Sequence, residues 1–262
     1  MDHLELPGIA IEALPEFVLR LPMPVAVTIE NRNPEGTFSG LRGCDLLSPA
    51  GGVEFRLVPP QGQTLLWPAE SARMRENPFA GFTLGPGEVR RMLFDLSVID
   101  PSPRPGRYRL EATLFQPLAP AEAPPLELTF VEPPNPEAAV VSKLRAGHAS
   151  WAAFVLDGGP ALPASLPQGL GLHRFLREAV HGPRPIASLD PEDAARFAPG
   201  PLEGEAAVLR VEILSARGDP RTAEESGRIL RRWPGLRWRL DEISRGEGLL
   251  TRLRQWEGAE AR

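Results

Sequence analysis

Apolar and polar residues alternate along the first half of the chain, from Val25 to Val131. A period of two is typical of β-strands that bury one face. Turn-forming residues separate the runs, and no amphipathic helix of ordinary length intervenes, so the strands must pair largely antiparallel. The pattern predicts a β-sandwich whose inward positions are Val25, Val27 and Ile29; Val53, Phe55 and Leu57; Met92, Phe94 and Leu96; Tyr108, Leu110, Ala112 and Leu114; and Leu126, Leu128 and Phe130.

The second half of the chain carries helical rather than alternating periodicity. Three prolines between the two halves cannot continue a sheet ladder, so they predict a boundary. We therefore expect an antiparallel β-sandwich over residues 1–132, a Pro-rich linker over 133–136 and an α-helical domain over 137–262.

Three helix starts share one chemistry, because Asn135, Asp190 and Asp219 each stand directly before a proline. The side chain can cap an orphan N–H group, while proline occupies the first helical position at no hydrogen-bond cost. Apolar residues at helical spacing predict these buried stripes: Val141 and Leu144; Leu172, Phe175, Leu176 and Ala179; Ala206, Leu209 and Ile213; Ala223, Gly227 and Leu230; Leu236, Leu240 and Ile243; and Leu249, Leu253 and Trp256.

Two turns in the first half carry a resemblance to a known fold. The stretch GPGEVRRMLFDLS (85–97), followed by PGRYRLEATL (105–114), resembles bacterial immunoglobulin-like sandwich domains, including those of the intracellular proteinase-inhibitor type. The resemblance covers roughly residues 5–132 and implies the fold and, at most, a binding role. Tyr108, the only tyrosine, resembles a tyrosine corner, in which the hydroxyl caps a nearby backbone group.

The C-terminal half carries a second resemblance. Residues 213–236 (ILSARGDPRTAEESGRILRRWPGL) look like a tetratricopeptide-type helical hairpin. The resemblance implies a turn at Gly218, a helix contact at the small Ala223 and the end of the second helix at Pro234. It spans about one repeat, and no second copy precedes it at a fixed period. A compact helical domain and a short solenoid therefore both remain open.

Composition narrows the class of protein. The 262 residues are 42% hydrophobic with a net charge of -5, as in a globular protein without broad affinity for nucleic acid. Cys44 is the only cysteine, which excludes an intrachain disulfide and a cysteine-cluster metal site, and we expect it to be buried in a strand. The N-terminus lacks the features of a signal peptide, and no apolar run approaches the ~20 residues that span a bilayer. We expect a cytoplasmic protein that does not bind membranes.

Motifs of catalysis are missing from the sequence. The four histidines lie too far apart for paired ligands on one helix: His3, His148, His173 and His181. No metalloprotease, nucleophile-elbow, phosphate-loop or dinucleotide fingerprint occurs. The sequence therefore predicts no catalytic residue, no metal and no cofactor, and we expect a protein that is not an enzyme.

One segment collects arginine around tryptophan. Residues 217–254 hold ten arginines against six acidic residues in an otherwise acidic chain. Guanidinium groups and aromatic faces together bind carboxylates, phosphates or bases. The candidate partner-binding residues are Arg231, Arg232, Trp233, Arg237, Trp238 and Arg239. Alternatively, the tryptophans pack the hairpin junction and the arginines pair with nearby acids. An acidic protein is the expected partner, ahead of nucleic acid.

Taken together, two binding-type folds without a catalytic motif predict a protein–protein interaction or adaptor module. The alternative is an inhibitor of an intracellular hydrolase or protease, with a sandwich loop at 59–79 or 117–125 as the inhibitory edge. A third hypothesis is an enzyme whose residues meet only in three dimensions. Neither the partner's identity nor the oligomeric state follows from the sequence.

Overall fold

The computed structural model places strands in the first half of the chain and helices in the second. It describes residues 7–19, 23–34, 36–39, 53–67, 83–96, 99–100, 103–114, 120–132, 175, 178–180, 182–195 and 200–260. The fold class predicted above, a β-sandwich followed by an α-helical domain, is confirmed.

The described strands form two main sheets that face each other across one core. The strands are β1 (Gly8–Ala13), β2 (Glu16–Val18), β3 (Pro24–Glu30), β4 (Phe38–Ser39), β5 (Val53–Val58), β6 (Leu65–Trp67), β7 (Thr83–Leu84), β8 (Val89–Asp95), β9 (Gly106–Leu114), β10 (Ala121–Glu122) and β11 (Leu126–Val131). One sheet has the order β1-β3-β8 and the other the order β2-β11-β9-β5-β6, with β10 beside β9. Strands β4 and β7 form a small separate pair.

The first stretch of chain contributes to both sheets. Strand β1 pairs antiparallel with β3, whereas β2 pairs parallel with β11. Pro15 lies between the two strands, and its carbonyl accepts a hydrogen bond of 2.9 Å from the N–H of Thr129. All other pairs among the described strands are antiparallel, as the short connections require.

The sandwich core uses the inward positions that the alternation predicts. All of them are buried except Leu126, which packs partly buried against the core. The rings of Phe55 and Phe94, from opposite sheets, stack with centroids 4.4 Å apart. The hydroxyl oxygen of Tyr108 accepts a hydrogen bond of 3.0 Å from the backbone N–H of Arg104, so this tyrosine forms the predicted corner.

Helix α2 is the centre of the second half. The helices are α1 (Pro191–Ala195), α2 (Glu203–Ala216), α3 (Arg221–Arg232), α4 (Arg237–Ser244) and α5 (Leu249–Glu260). The predicted stripe Ala206, Leu209 and Ile213 is buried within a core that also contains Phe175 and Ala179. Gly218 turns the chain between α2 and α3 with φ +66°, a conformation that glycine adopts without strain.

Helix α3 buries a different face from the one predicted. Ala223 is exposed, and Gly227 and Leu230 are only half-buried, so the predicted stripe and the helix contact at Ala223 are wrong. The buried residues of α3 are Glu225 and Ile229. The reason is electrostatic as well as apolar, because α2 presents an arginine that pairs with the Glu225 carboxylate at 3.4 Å.

Two of the three predicted caps are present. The Asp190 carboxylate accepts from the N–H of Glu192 at 2.9 Å, and the Asp219 carboxylate accepts from the N–H of Arg221 at the same distance. Helix α1 begins at the proline, whereas α3 begins one residue after it. The third cap, Asn135, lies outside the described residues.

Several other predictions fall on residues outside the described ranges. These are the buried strand position of Cys44, the four histidines, the linker 133–136 and the stripe of Val141 and Leu144. Leu172 and Leu176 lie outside them as well, and so does the side chain of Trp256.

Candidate functional site

The Arg/Trp segment, residues 228–240 with five arginines and two tryptophans, lies where the helical domain meets the sandwich. Arg231 and Arg232 form the last turn of α3, and Trp233 ends that helix. A 3-10 turn, Pro234–Leu236, then leads into α4, which begins at Arg237. This 3-10 turn packs against β8.

At Gly235 the helical domain lies close against the sandwich. A Cβ atom at this position would lie 2.8 Å from the backbone nitrogen of Arg91 and 3.1 Å from the backbone carbonyl carbon of Arg90. Only a residue without a side chain fits at such distances. Glycine is therefore needed at position 235 because the 3-10 turn lies directly against the backbone of β8.

Trp238 fastens the start of α4 to β8. Its indole N–H donates a hydrogen bond of 3.0 Å to the backbone carbonyl of Arg91, and the ring packs against the sandwich core. The guanidinium carbons of Arg90 and Arg239 lie 4.3 Å and 4.7 Å from the ring centroid. Such distances favour cation–π attraction. The Trp238 side chain is therefore used in a contact between the helical domain and the sandwich of this protein.

The outward face of β8 is covered by the helical domain. Arg91 is only 4% exposed, and its guanidinium pairs with the Glu12 carboxylate at 2.9 Å. Leu93, two residues on, packs partly buried against the helical core. Both faces of β8 are therefore covered at this position.

Arg239 belongs to an ion-pair network within the helical domain. Its guanidinium lies 3.3 Å from the carboxylates of both Glu205 and Glu242, and only 15% of its side chain is exposed. Glu242 also pairs with Arg252 at 3.2 Å. Burial lowers the pKa of the nearby Arg90 guanidinium, Glu242 opposes this shift and Arg239 adds to it.

Arg232 and Trp233 make contacts within the helical domain but are not fully buried. The Arg232 guanidinium pairs with the Glu203 carboxylate and lies over the Trp233 ring, 4.3 Å from its centroid. Trp233 packs partly buried against the cluster around Leu236. The Arg232 side chain nevertheless remains 64% exposed.

Arg231 and Arg237 differ from the rest of the segment. Both are exposed, and neither forms an ion pair or a hydrogen bond through its guanidinium with another of the described residues. The structure thus turns Trp238 and Arg239 inward and leaves Arg231, Arg232 and Arg237 outward. Partner binding by the segment stays a prediction.

Sequence reasoning missed the residues that hold the segment in place. The alternating pattern places Arg90 and Arg91 in a strand, and helical spacing places Glu205 in an amphipathic helix, with no further role for any of them. The one local signal is a pair of adjacent arginines inside a strand that is mostly apolar. Their role becomes visible only when the distant Trp238 is placed against them.

One of the two loops considered as an inhibitory edge is partly built into a sheet. Within 117–125, Ala121 and Glu122 pair with β9, and the N–H of Ala123 donates to the carbonyl of Ala112 at 2.9 Å. The described part of this loop therefore does not protrude. Of the other loop, 59–79, only the stretch up to Trp67 is described, and it ends in the paired strand β6.

Two other kinds of feature are absent from the described ranges. No group of three or more His, Cys, Asp or Glu among these residues could hold a metal ion. No helix in the described part of the chain is long and apolar enough to cross a membrane.

Comparison with known proteins yields fold neighbours at low similarity. No family model and no curated protein matches the chain. A solution NMR structure of a CARDB domain from Pyrococcus furiosus is 14% identical, covering 48% of this chain and 94% of that one, with a TM-score of 0.29. A crystal structure of this domain in complex with di-metal ions is 14% identical and covers 49% and 94%, with a TM-score of 0.28.

These neighbours leave the function open. At such TM-scores the likeness is too weak to assign this chain to a fold family, and the two-sheet sandwich is established by the strand pairing described above. Neither neighbour corroborates the tetratricopeptide resemblance of the helical half.

Proposed function

We propose that this protein is a non-enzymatic protein–protein interaction or adaptor module that binds its partner through the exposed arginines at the junction of α3 and α4. The proposal rests on how five arginines within residues 226–240 are paired, a stretch without any acidic residue. Three of them have carboxylate partners in the chain: Arg228, Arg232 and Arg239. The other two, Arg231 and Arg237, have none among the described residues.

Exposed guanidinium groups suit recognition of another protein. Arginine stays charged at any physiological pH and offers parallel hydrogen bonds to a carboxylate. Arg231 stands at the C-terminal end of α3, where the helix dipole accounts for some preference for cations. Arg237 begins α4, where the dipole disfavours a cation, so that explanation does not apply to it.

The junction also supplies a rigid platform for these side chains. Gly235 and Trp238 hold the connection between α3 and α4 against β8. A surface that is ordered before binding avoids much of the entropy cost of association. The arginines are therefore presented from a backbone fixed by both domains.

The proposal is tested by affinity capture from the native host with three proteins: wild type, Arg231→Glu/Arg237→Glu, and Arg32→Glu/Arg245→Glu. The control pair changes the net charge equally at two other exposed arginines, whose side chains are 54% and 59% exposed. We expect the wild type and the control to retain a common partner protein that the junction variant loses.

Both variants should melt close to wild type, because exposed charges contribute little stability. Capture of the same proteins by the junction variant would refute the proposed site. Turnover of a substrate by the purified protein would refute the non-enzymatic role.

A further inference from the structure

We infer that the junction surface recognises a carboxylate-rich protein segment and does so through guanidinium groups alone, without aromatic stacking. This inference rests on the proposed function and specifies the chemistry of its partner. The competing ligand for arginine beside tryptophan is a single-stranded nucleic acid, whose bases would stack on the indole rings. The geometry of the two tryptophans separates these ligands.

Trp238 is not available as a stacking platform. Two guanidinium groups already lie over its ring, from Arg90 and Arg239. Its only polar side-chain atom is committed to the carbonyl of Arg91, and the ring packs against the sandwich core. A base could reach it only after the contact between the domains had opened.

Trp233 is covered from within the helical domain. The Arg232 guanidinium lies 4.3 Å from the ring centroid. A Cβ atom on Gly204 would lie 3.5 Å from Cδ2 of the ring, so α2 also runs directly beside the indole. Stacking on Trp233 would require Arg232 to leave both the ring and its partner Glu203.

Electrostatics points the same way as the packing. Binding to a nucleic acid backbone alone depends on neutralising several phosphates with lysine or arginine. Within the Arg/Trp segment only Arg231 and Arg237 lack a carboxylate partner among the described residues, so few cations there are free to neutralise phosphates. Two planar forks suffice for a few carboxylates on a protein surface. The fit is to an acidic segment.

Fluorescence anisotropy with three labelled probes tests this inference on the full chain. The probes are a Glu-rich peptide, the same peptide with Gln in place of Glu, and an oligothymidylate equal in charge to the first. We expect binding to the Glu-rich peptide alone, weakening steeply with added salt. The Arg231→Glu/Arg237→Glu variant should bind it about tenfold more weakly, because two exposed guanidinium–carboxylate pairs are lost. The Arg32→Glu/Arg245→Glu control should bind it as wild type does.

Tryptophan fluorescence distinguishes the two modes of binding. The Glu-rich peptide should leave the emission unquenched, because no group stacks on the indole rings. Oligothymidylate that binds as tightly as the Glu-rich peptide, or that quenches the emission, would overturn the inference. Equal binding of the Glu-rich and Gln-rich peptides would overturn it as well.

Failure of this inference can be told apart from failure of the proposed function. If capture from the host depends on Arg231 and Arg237 but the Glu-rich peptide does not displace the captured protein, the carboxylate chemistry is wrong and the adaptor role stands. If capture does not depend on these arginines, the proposed function fails first.

Discussion

A methyl group added at Gly235 is the most direct perturbation of the contact between the two domains. The new Cβ atom would lie 2.8 Å from the backbone nitrogen and 3.0 Å from Cβ of Arg91. Real Cβ atoms do not approach heavy atoms so closely, and the backbone of β8 cannot swing aside because it is paired along its length with β3. Gly235→Ala must therefore push the 3-10 turn away from the sheet.

The expected cost follows from two opposing terms. Overpacking of a well-filled contact costs about 1–3 kcal/mol. Alanine restricts the unfolded chain and so returns about 0.4–1 kcal/mol. We expect Gly235→Ala to lower the free energy of unfolding by about 1–2 kcal/mol, which corresponds to a fall in melting temperature of roughly 2–8 °C.

Urea unfolding followed by circular dichroism and by tryptophan fluorescence measures this change. Gly227→Ala is the matched control, because it adds the same methyl group inside α3, where the nearest atom is Nη1 of Arg231 at 3.6 Å. The control should stabilise the protein by about 0.5–1 kcal/mol through helix propensity. If Gly235→Ala unfolds at the same urea concentration as wild type or a higher one, the two domains do not meet as described.

Four further predictions concern single contacts and the domain boundary. Tyr108→Phe removes the corner hydroxyl and should lower the free energy of unfolding by about 1 kcal/mol in urea titrations. Capture of the partner should stay unchanged. Loss of capture at unchanged stability would contradict a purely structural role. Glu212→Ala removes a buried carboxylate that accepts hydrogen bonds from the N–H groups at the start of α5. The same titrations should show a loss of about 1–3 kcal/mol in the free energy of unfolding. Stability equal to wild type would show that these hydrogen bonds are dispensable. Hydrogen bonds from Arg221 lower the pKa of Asp219 from 3.8 to about 2. Its stabilisation is therefore complete above the ordinary pKa and is lost as the pH falls through about 2, so Asp219→Asn should flatten the loss of stability in that window; an unchanged profile would refute the assignment. Residues 1–132 expressed alone should fold as a β-sandwich but melt below the full chain, because the outer face of β8 becomes exposed, and a molten fragment would contradict the boundary.

The alternation of apolar residues along the strands is enough to predict much of the sandwich. Residues such as Val27, Phe55 and Leu110 are buried because a strand turns successive side chains to opposite faces. The caps at Asp190 and Asp219 and the corner at Tyr108 are predictable for a similar reason. Each depends on groups within a few residues, so short stretches of sequence contain the whole interaction.

The orientation of α3 is not predictable from its own residues. Ala223, Gly227 and Leu230 stand at helical spacing, yet the helix buries Glu225 and Ile229. A single helix cannot reveal which of two plausible faces has a partner. Here α2 determines which face of α3 is buried, because its Arg210 pairs with the buried Glu225 carboxylate.

The state of the Arg/Trp segment depends on tertiary structure alone. Its sequence presents five arginines and two tryptophans as one group, but folding sorts them into internal and exposed contacts. Trp238 bonds to Arg91, which is 147 residues away in the chain, and Arg239 pairs with Glu205, which is 34 residues away. Local periodicity carries no information about such distant neighbours. Short-range sequence patterns therefore specify the two halves and most of their buried faces, whereas the contact between the halves decides which arginines face outward toward a partner.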